Sequence, residues 1–158
     1  MPTRPFTIRS SPIHGRGAFA TRHIPSGTRL IEYTGERITP AEADARYPDV
    51  PGPQHTKLFA VDDDVVIDAA VGGNAARWIN HSCEPNCDAV VEDKRIWIET
   101  IRDVEAGEEL AYDYQLQLDT RHTPAAKRMY RCHCGARGCR GTLLTKKRQG
   151  ETPRRTRV

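Results

Sequence analysis

Eight short runs, apolar-alternating or rich in β-branched residues and separated by turn-forming residues, constrain this chain more than any other feature. They are Phe6 to Ile8, Gly17 to Ala20, Arg29 to Tyr33, Leu58 to Val61, Val65 to Asp68, Ala89 to Glu92, Arg95 to Thr100 and Glu109 to Tyr114. Runs this short with a period near two suit half-buried strands, not helices. Two stretches read as helical. Thr39 as cap, Pro40 at the first helical position and Glu42 three residues after Thr39 form a capping-box pattern, which predicts a helix over Pro40 to Tyr47. Asn74 to Ile79 has room for one or two further turns. Three prolines and a glycine in Pro48 to Pro53 break both helix and ladder hydrogen bonding, so an exposed loop is expected there. No repeat recurs at a fixed period, which excludes solenoids and propellers. The expectation is one mainly β domain with short helices, its body ending near Leu144.

Length permits no more than that. With 158 residues, 37% of them apolar, the chain can build one modest core. No window approaches the roughly 18 consecutive apolar residues of a membrane span, and no secretory signal is seen at the N-terminus. A soluble, intracellular protein is expected, cytoplasmic in a bacterium or nuclear in a eukaryotic setting. The net charge of +3 is unevenly spread, since Lys146 to Val158 hold six basic residues against Glu151. The remainder carries 18 basic and 20 acidic residues, a body that suits a cationic partner better than nucleic acid.

Two polar constellations carry chemistry. Asn80-His81-Ser82-Cys83-Glu84-Pro85-Asn86 follows the apolar pair Trp78-Ile79, and polar groups packed behind a core-like pair must find hydrogen-bond partners. Such a cluster lines a site more readily than it makes an ordinary loop. Five cysteines are an odd number, and three of them crowd into Cys132, Cys134 and Cys139. That spacing is poor for a disulfide framework and good for zinc in a reducing compartment. Zinc in structural sites takes four tetrahedral ligands, so one must come from elsewhere in the chain.

Arg77 to Asn86 resembles the signature of the SET-domain lysine methyltransferases, and the likeness extends through the chain in the family's order. His14-Gly15-Arg16-Gly17-Ala18-Phe19-Ala20 looks like its N-terminal glycine motif and Ile31 to Glu36 like its next strand. Asp62 to Ala69 resembles the segment before the central helix, Gly107 to Tyr114 the Glu-Leu-x-Tyr-Asp-Tyr strand, and Cys132 to Leu144 the cysteine-rich post-SET segment. The resemblance spans roughly residues 5 to 144. It implies a SET fold, several small β-sheets around a knot-like crossing where Asn80 to Asn86 meets the strand ending in Tyr114, closed by a C-terminal zinc lid. The implied division is a SET domain at 5–119, a post-SET segment at 128–144 and a disordered basic tail at 145–158.

The resemblance also implies the activity, methyl transfer from S-adenosylmethionine to a lysine of a basic protein such as a histone or histone-like protein. Arg16, Gly17, Tyr33, Arg77, Asn80, His81 and Tyr114 would hold the donor, with Gly15 and Gly17 allowing close backbone approach. The attacking amine needs its lone pair, and deprotonating a free lysine at pH 7 costs about 4.6 kcal/mol. A narrow tyrosine-walled channel lowers that cost by desolvating the amine and aiming it. Tyr114 falls on the family's catalytic tyrosine and Tyr33 on a channel tyrosine. Tyr112 stands where the family carries phenylalanine or tyrosine, and its hydroxyl implies mono- or dimethylation. Residues two apart on a strand share a face, so Tyr112 and Tyr114 also fit a plain core.

For the metal, the family's fourth ligand is Cys83, giving Cys83, Cys132, Cys134 and Cys139; Cys87 and His133 are the substitutes, Cys87 reading better as a small buried thiol. His23, His55 and His122 read as surface residues and Asp62-Asp63-Asp64 as a solvated turn. No Gly-x-Gly-x-x-Gly precedes a helix, so a Rossmann-type cofactor site is unsupported. No cysteine-rich region precedes the first motif, unlike in many nuclear relatives, which points to a minimal enzyme of bacterial or viral type. Two rival readings remain: a SET-fold binding module that methylates nothing, against which the three tyrosines stand, and a zinc-dependent nucleic-acid binder using the basic tail, against which the acidic body stands. Thr39 to Leu58, where a substrate peptide would be read, follows no interpretable motif.

Overall fold

The computed structural model describes residues 3–48, 57–118 and 121–146. Ten strands and two short helices follow in the order β1 (Phe6–Ser10), β2 (Arg16–Ala20), β3 (Arg29–Glu32), β4 (Glu36–Ile38), α1 (Pro40–Arg46), β5 (Leu58–Ala60), β6 (Val66–Asp68), a 3₁₀ turn (Ala75–Trp78), β7 (Asn80–His81), β8 (Cys87–Glu92), β9 (Arg95–Thr100), β10 (Glu109–Tyr112) and α2 (Pro124–Met129). Each predicted strand is present, most of them ending within two residues of the expected positions. Among the described residues no helix is long and apolar enough to cross a membrane.

The main sheet runs β1-β2-β10-β8-β9-β3, with β7 added parallel to β10, and β4-β6-β5 form a second, three-stranded sheet. Strand β10 is the centre of the molecule. It pairs antiparallel with β2 and parallel with both β7 and β8, so the chain from Asn80 to Cys87 wraps around its end. Ladder pairing alone cannot satisfy β10 at such a crossing, and side chains of the polar loop complete it. The Asn86 amide donates to Glu109 O at 2.9 Å and accepts from Ala111 N at 2.9 Å, while Ser82 N donates to Tyr112 O at 3.2 Å. Ile96, Ile98 and Leu110, all fully buried, form the core beneath.

Helix α1 begins as its capping box dictates. The Thr39 hydroxyl accepts from Glu42 N at 3.2 Å and the Glu42 carboxylate accepts from Thr39 N at 2.7 Å. Arg46 and Tyr47 then donate to the buried Asp68 of β6, each at 2.8 Å, tying the helix to the small sheet. Helix α2 was not expected, because its six residues bury no side chain and so show no apolar periodicity. Its signal is the same Thr-Pro start that marks α1: the Thr123 hydroxyl accepts from Ala126 N at 3.1 Å, with Pro124 following. Of the scattered residues, His23 and the three aspartates are exposed, whereas His122 is half-buried and accepts from Leu118 N at 3.1 Å, departing from the surface position expected. The expected loop beyond Pro48, His55 and the tail from Lys147 lie outside the described residues.

A close backbone approach fixes how β4 enters the small sheet, where Gly35 lies against the end of β6. A Cβ on Gly35 would overlap the Asp68 carbonyl oxygen and lie 2.8 Å from the Ala69 Cα, and backbone cannot swing aside. Gly35→Ala is therefore expected to cost about 1–3 kcal/mol, like other overpacking, which lowers Tm by roughly 2–12 °C in a chain of this size. Calorimetry measures the shift, and an unchanged Tm would mean that the strands separate more easily than this packing implies.

Candidate active site and metal centre

Asn80 is the pivot of the site. Its amide nitrogen faces four oxygens, Arg16 O at 2.9 Å, Glu109 Oε1 at 2.8 Å, and Ser11 Oγ and His14 O at 3.2 Å. Four acceptors around one nitrogen fix the amide's orientation. Its oxygen has no hydrogen-bond partner among the described residues, and Asn80 lines a cavity. The Ser11 hydroxyl donates to the Glu109 carboxylate at 2.7 Å, so the β1–β2 loop is drawn onto β10 through Asn80 and Glu109 together. Gly17 has a packing reason of its own: a Cβ there would overlap Glu109 Oε1. Gly15, at φ +44°, makes the turn of that loop.

The cavity encloses about 410 Å³, within the range of roughly 300–1,000 Å³ typical of small-molecule sites. Ile13 and His14 form one wall, Asn80, His81 and Tyr114 the second, and the segment from Arg128 to His133 with Leu143 the third. Asn80, His81 and Tyr114 are thus brought together as expected. Arg16, Gly17, Tyr33 and Arg77 are not among its lining residues. Arg16 and Arg77 instead lie 5.6 and 4.8 Å from the Trp78 ring, with Lys57 at 4.8 Å, and the buried Arg77 Nε has no hydrogen-bond partner among the described residues. Sequence reasoning named neither Ile13 nor the individual residues of the C-terminal wall, although the resemblance implied a C-terminal lid over the site. The signal for that wall is the cysteine spacing, which brings the segment near.

A row of aromatic rings leads away from Tyr114. Its ring lies 4.9 Å from Tyr112, Tyr112 lies 6.4 Å from Phe59, and Phe59 lies 5.1 Å from Tyr33. All four are buried, although β10 ends at Tyr112 and Tyr114 is held by other bonds. Its hydroxyl donates to Ile79 O at 2.7 Å and its amide to His81 Nδ1 at 3.0 Å. The Tyr33 hydroxyl donates to Lys57 O at 2.8 Å. Burial, reinforced by the neighbouring Tyr112 phenol, pushes the Tyr33 and Tyr114 pKa values well above the ordinary phenol value. Both stay neutral near pH 7, able to orient a partner but not to act as bases.

His81 sits between this row and the cysteines. Burial holds its pKa down at about 4, so the ring is neutral. Because Nδ1 accepts from Tyr114 N, the proton belongs on Nε2, which points at Cys83 Sγ 3.4 Å away. The sulfurs of Cys83, Cys132, Cys134 and Cys139 all lie within 4.8 Å of one another, a group that can hold a metal ion. Cys83 is 3.8 Å from Cys132 and 3.9 Å from Cys139. Burial raises the Cys83 and Cys132 thiol pKa values, and for Cys134 it is outweighed by backbone and thiol hydrogen bonds that bring the group to about 7. Cys87 lies apart as a buried thiol, pushed up to about 12 by desolvation, and His133 is exposed. Two further contacts bind the C-terminal segment to the crossing. Arg140 grips Asp113 through both carboxylate oxygens at 2.6 and 3.1 Å, and Gly138 N donates to Glu84 at 2.9 Å.

Residues 15–115 match the family model described as SET domain. The chain is 43% identical over 139 residues to the histone-lysine N-methyltransferase trithorax of Drosophila virilis, a match covering 84% of this chain and 3% of that protein. It is 42% identical over 146 residues to the H3 lysine-4 specific histone-lysine N-methyltransferase of Candida albicans, covering 89% of this chain and 14% of the relative. Human histone-lysine N-methyltransferase 2B is 42% identical over 141 residues, with 86% and 5% covered. The chain therefore spans only a small part of the length of these relatives.

Proposed function

The chain belongs to the SET-domain family, and from that premise we propose that it is an S-adenosylmethionine-dependent protein-lysine N-methyltransferase. The observation that carries the proposal is the buried aromatic row from Tyr33 through Phe59 and Tyr112 to Tyr114, which meets the cavity walled by Asn80 and His81 at Tyr114. A lysine side chain needs dry aromatic surroundings of this kind, and a small donor needs such a cavity.

The donor cavity suits S-adenosylmethionine in its chemistry. Asn80 offers an amide oxygen to an ammonium group, and Ile13, Met129 and Leu143 offer apolar surface to a flat ring. Asn80, His81 and Tyr114 would hold it directly. Arg16 and Arg77 beside Trp78, and Gly17 packed against Glu109, would act on the donor from outside the lining, while Tyr33 would face the lysine from the far end of the aromatic row. When bound, S-adenosylmethionine would supply a methyl carbon at which the lysine amine forms its N–C bond as the C–S bond breaks, leaving the neutral thioether S-adenosylhomocysteine.

The protein's residues prepare the amine. Tyr33 and Tyr114 have already committed their hydroxyl protons to Lys57 O and Ile79 O, so their oxygens remain as acceptors for amine N–H groups. Accepting those protons turns the nitrogen lone pair along the channel. The surrounding rings exclude water and lower the cost of losing the ammonium proton. Tyr112 narrows the space beside the amine, which favours mono- or dimethylation.

The four-cysteine group fits zinc. Zinc–sulfur bonds of about 2.3 Å in a tetrahedron place the sulfurs about 3.8 Å apart, and two of the pairs here are separated by 3.8 and 3.9 Å. Cys83, Cys132, Cys134 and Cys139 would hold the ion, joining residues 128–144 to the body at 5–119. The substrate is proposed to be a histone or histone-like protein, with the H3 lysine-4 region suggested by the relatives as the first peptide to try.

The test is transfer of labelled methyl from S-adenosylmethionine to H3 tail peptides and a panel of basic proteins. Labelling confined to lysine is expected. Tyr112→Phe should then shift the product toward higher methylation by mass spectrometry. Absence of labelling on every protein, with donor binding intact, would replace the enzyme by a non-catalytic binding module.

A further inference from the structure

Charge divides this molecule more sharply than its net value suggests. Residues 1–120 carry twelve basic and twenty acidic side chains, whereas residues 121–146 carry seven arginines and lysines and no acid. The basic region thus begins well before the tail. The fold treats the two sets of cations differently. In the body Arg29, Arg46, Arg95 and Arg102 are each neutralised by a glutamate at 2.6 to 3.0 Å. In the C-terminal segment Arg140 alone has an acidic partner, Asp113, among the described residues.

Three of the unpaired cations come together. Arg121, Lys127 and Lys146 are exposed and line one concavity of about 600 Å³, whose floor includes Thr142 and Leu144 and whose edge carries His122. Their side chains make no hydrogen bond or ion pair with a described residue. Unpaired, solvated cations gathered in one place are the pattern of a surface that neutralises a polyanion. From Lys146 the chain continues into residues 147–158, with five more basic residues and one acid.

We infer that the concavity walled by Arg121, Lys127 and Lys146 docks the phosphate backbone of double-stranded nucleic acid. The shape of the segment selects among polyanions. Its only exposed large apolar side chain among the described residues is Met129, and Met129 belongs to the donor cavity. The face therefore offers no apolar anchor for a lipid surface. It offers no exposed aromatic ring on which unstacked bases of a single strand could sit. Phosphate contact without base contact gives binding that is indifferent to sequence and steeply dependent on salt. This surface stands outside the methyl-transfer site, so the reading survives even if the chain methylates nothing.

The experiment is fluorescence anisotropy of a labelled random-sequence DNA duplex with the full metal-loaded chain, over about 50 to 200 mM salt. The triple variant Arg121→Gln, Lys127→Gln, Lys146→Gln is compared with a second in which Lys147, Arg148, Arg154, Arg155 and Arg157 are all changed to Gln. Each lost phosphate contact removes about 0.9 from the slope of log affinity against log salt, so the triple variant should bind with a slope shallower by about 2.7. Its circular dichroism spectrum and its methylation of a free peptide should match the parent chain. An unchanged slope in the triple variant, with binding lost only in the second, would assign the contact to the tail and overturn the proposal. So would failure to bind duplex at the lowest salt, or binding to phosphatidylserine vesicles without binding to DNA.

Discussion

Tyr114→Phe is expected to lower methyl transfer to the best substrate by about 100-fold or more, the usual scale for losing one positioned polar group at a reacting centre. The ring would stay, since it packs edge-on against His81 at 5.3 Å and against Tyr112 at 4.9 Å. The backbone would stay too, because Tyr114 N donates to His81 and phenylalanine keeps that amide. What goes is the oxygen that would accept an amine N–H, and with it the alignment of the lone pair. A second consequence separates this loss from simple disorder. Ile79 O loses its buried donor at 2.7 Å, and an unsatisfied carbonyl costs about 1–3 kcal/mol. The variant should therefore melt a few degrees lower yet bind S-adenosylmethionine within a few-fold of the parent. Isothermal titration and single-turnover transfer distinguish the two effects. A variant that turns over normally would remove Tyr114 from the reaction.

The second large effect is expected from the metal centre. Cys132→Ser, or a strong chelator, should abolish stoichiometric zinc and weaken donor binding more than 10-fold, while the body melts as before. The asymmetry follows from what holds each part. The body rests on a continuous core that includes Ile96, Ile98 and Leu110, whereas the lid packs Tyr130 and Leu144 onto Leu116 in a small separate cluster. Three such side chains contribute about 5–9 kcal/mol before the entropy of ordering the segment is subtracted. Structural zinc supplies about 10–16 kcal/mol in small peptides. Without it the segment from Arg128 to His133, one wall of the donor cavity, loses its anchor. Metal analysis, donor titration and calorimetry together read this out. Cys87→Ser is the contrast, keeping the metal because its thiol lies outside the four-sulfur group. Full metal content in both Cys83→Ser and Cys132→Ser would place the ion elsewhere.

Much of this protein is legible residue by residue. Strand runs, the Thr39–Glu42 capping box and the crowding of Cys132, Cys134 and Cys139 depend on neighbours in the chain, and propensity, caps and metal-ligand spacing are local properties. Other features depend on partners far away. Helix α2 buries nothing and leaves no periodic trace. Gly17 reads as a ligand-approach glycine, yet a Cβ there meets Glu109, a residue 92 positions on. Asn86 reads as the end of a polar loop, yet its amide completes the hydrogen bonding of β10.

The sequence by itself determined the mainly β character, the chemistry of the polar loop and the presence of three thiols wanting a fourth. Only the tertiary structure decided that Cys83 lies beside thiols 49 and 56 residues away, that the C-terminal segment walls the cavity, and that Arg121, Lys127 and Lys146 share one concavity. The physical reason is the same in each case. A buried polar atom, an open sulfur set or an unneutralised charge must find its partner in space, and that search is settled by how the sheets cross, which no stretch of neighbouring residues encodes.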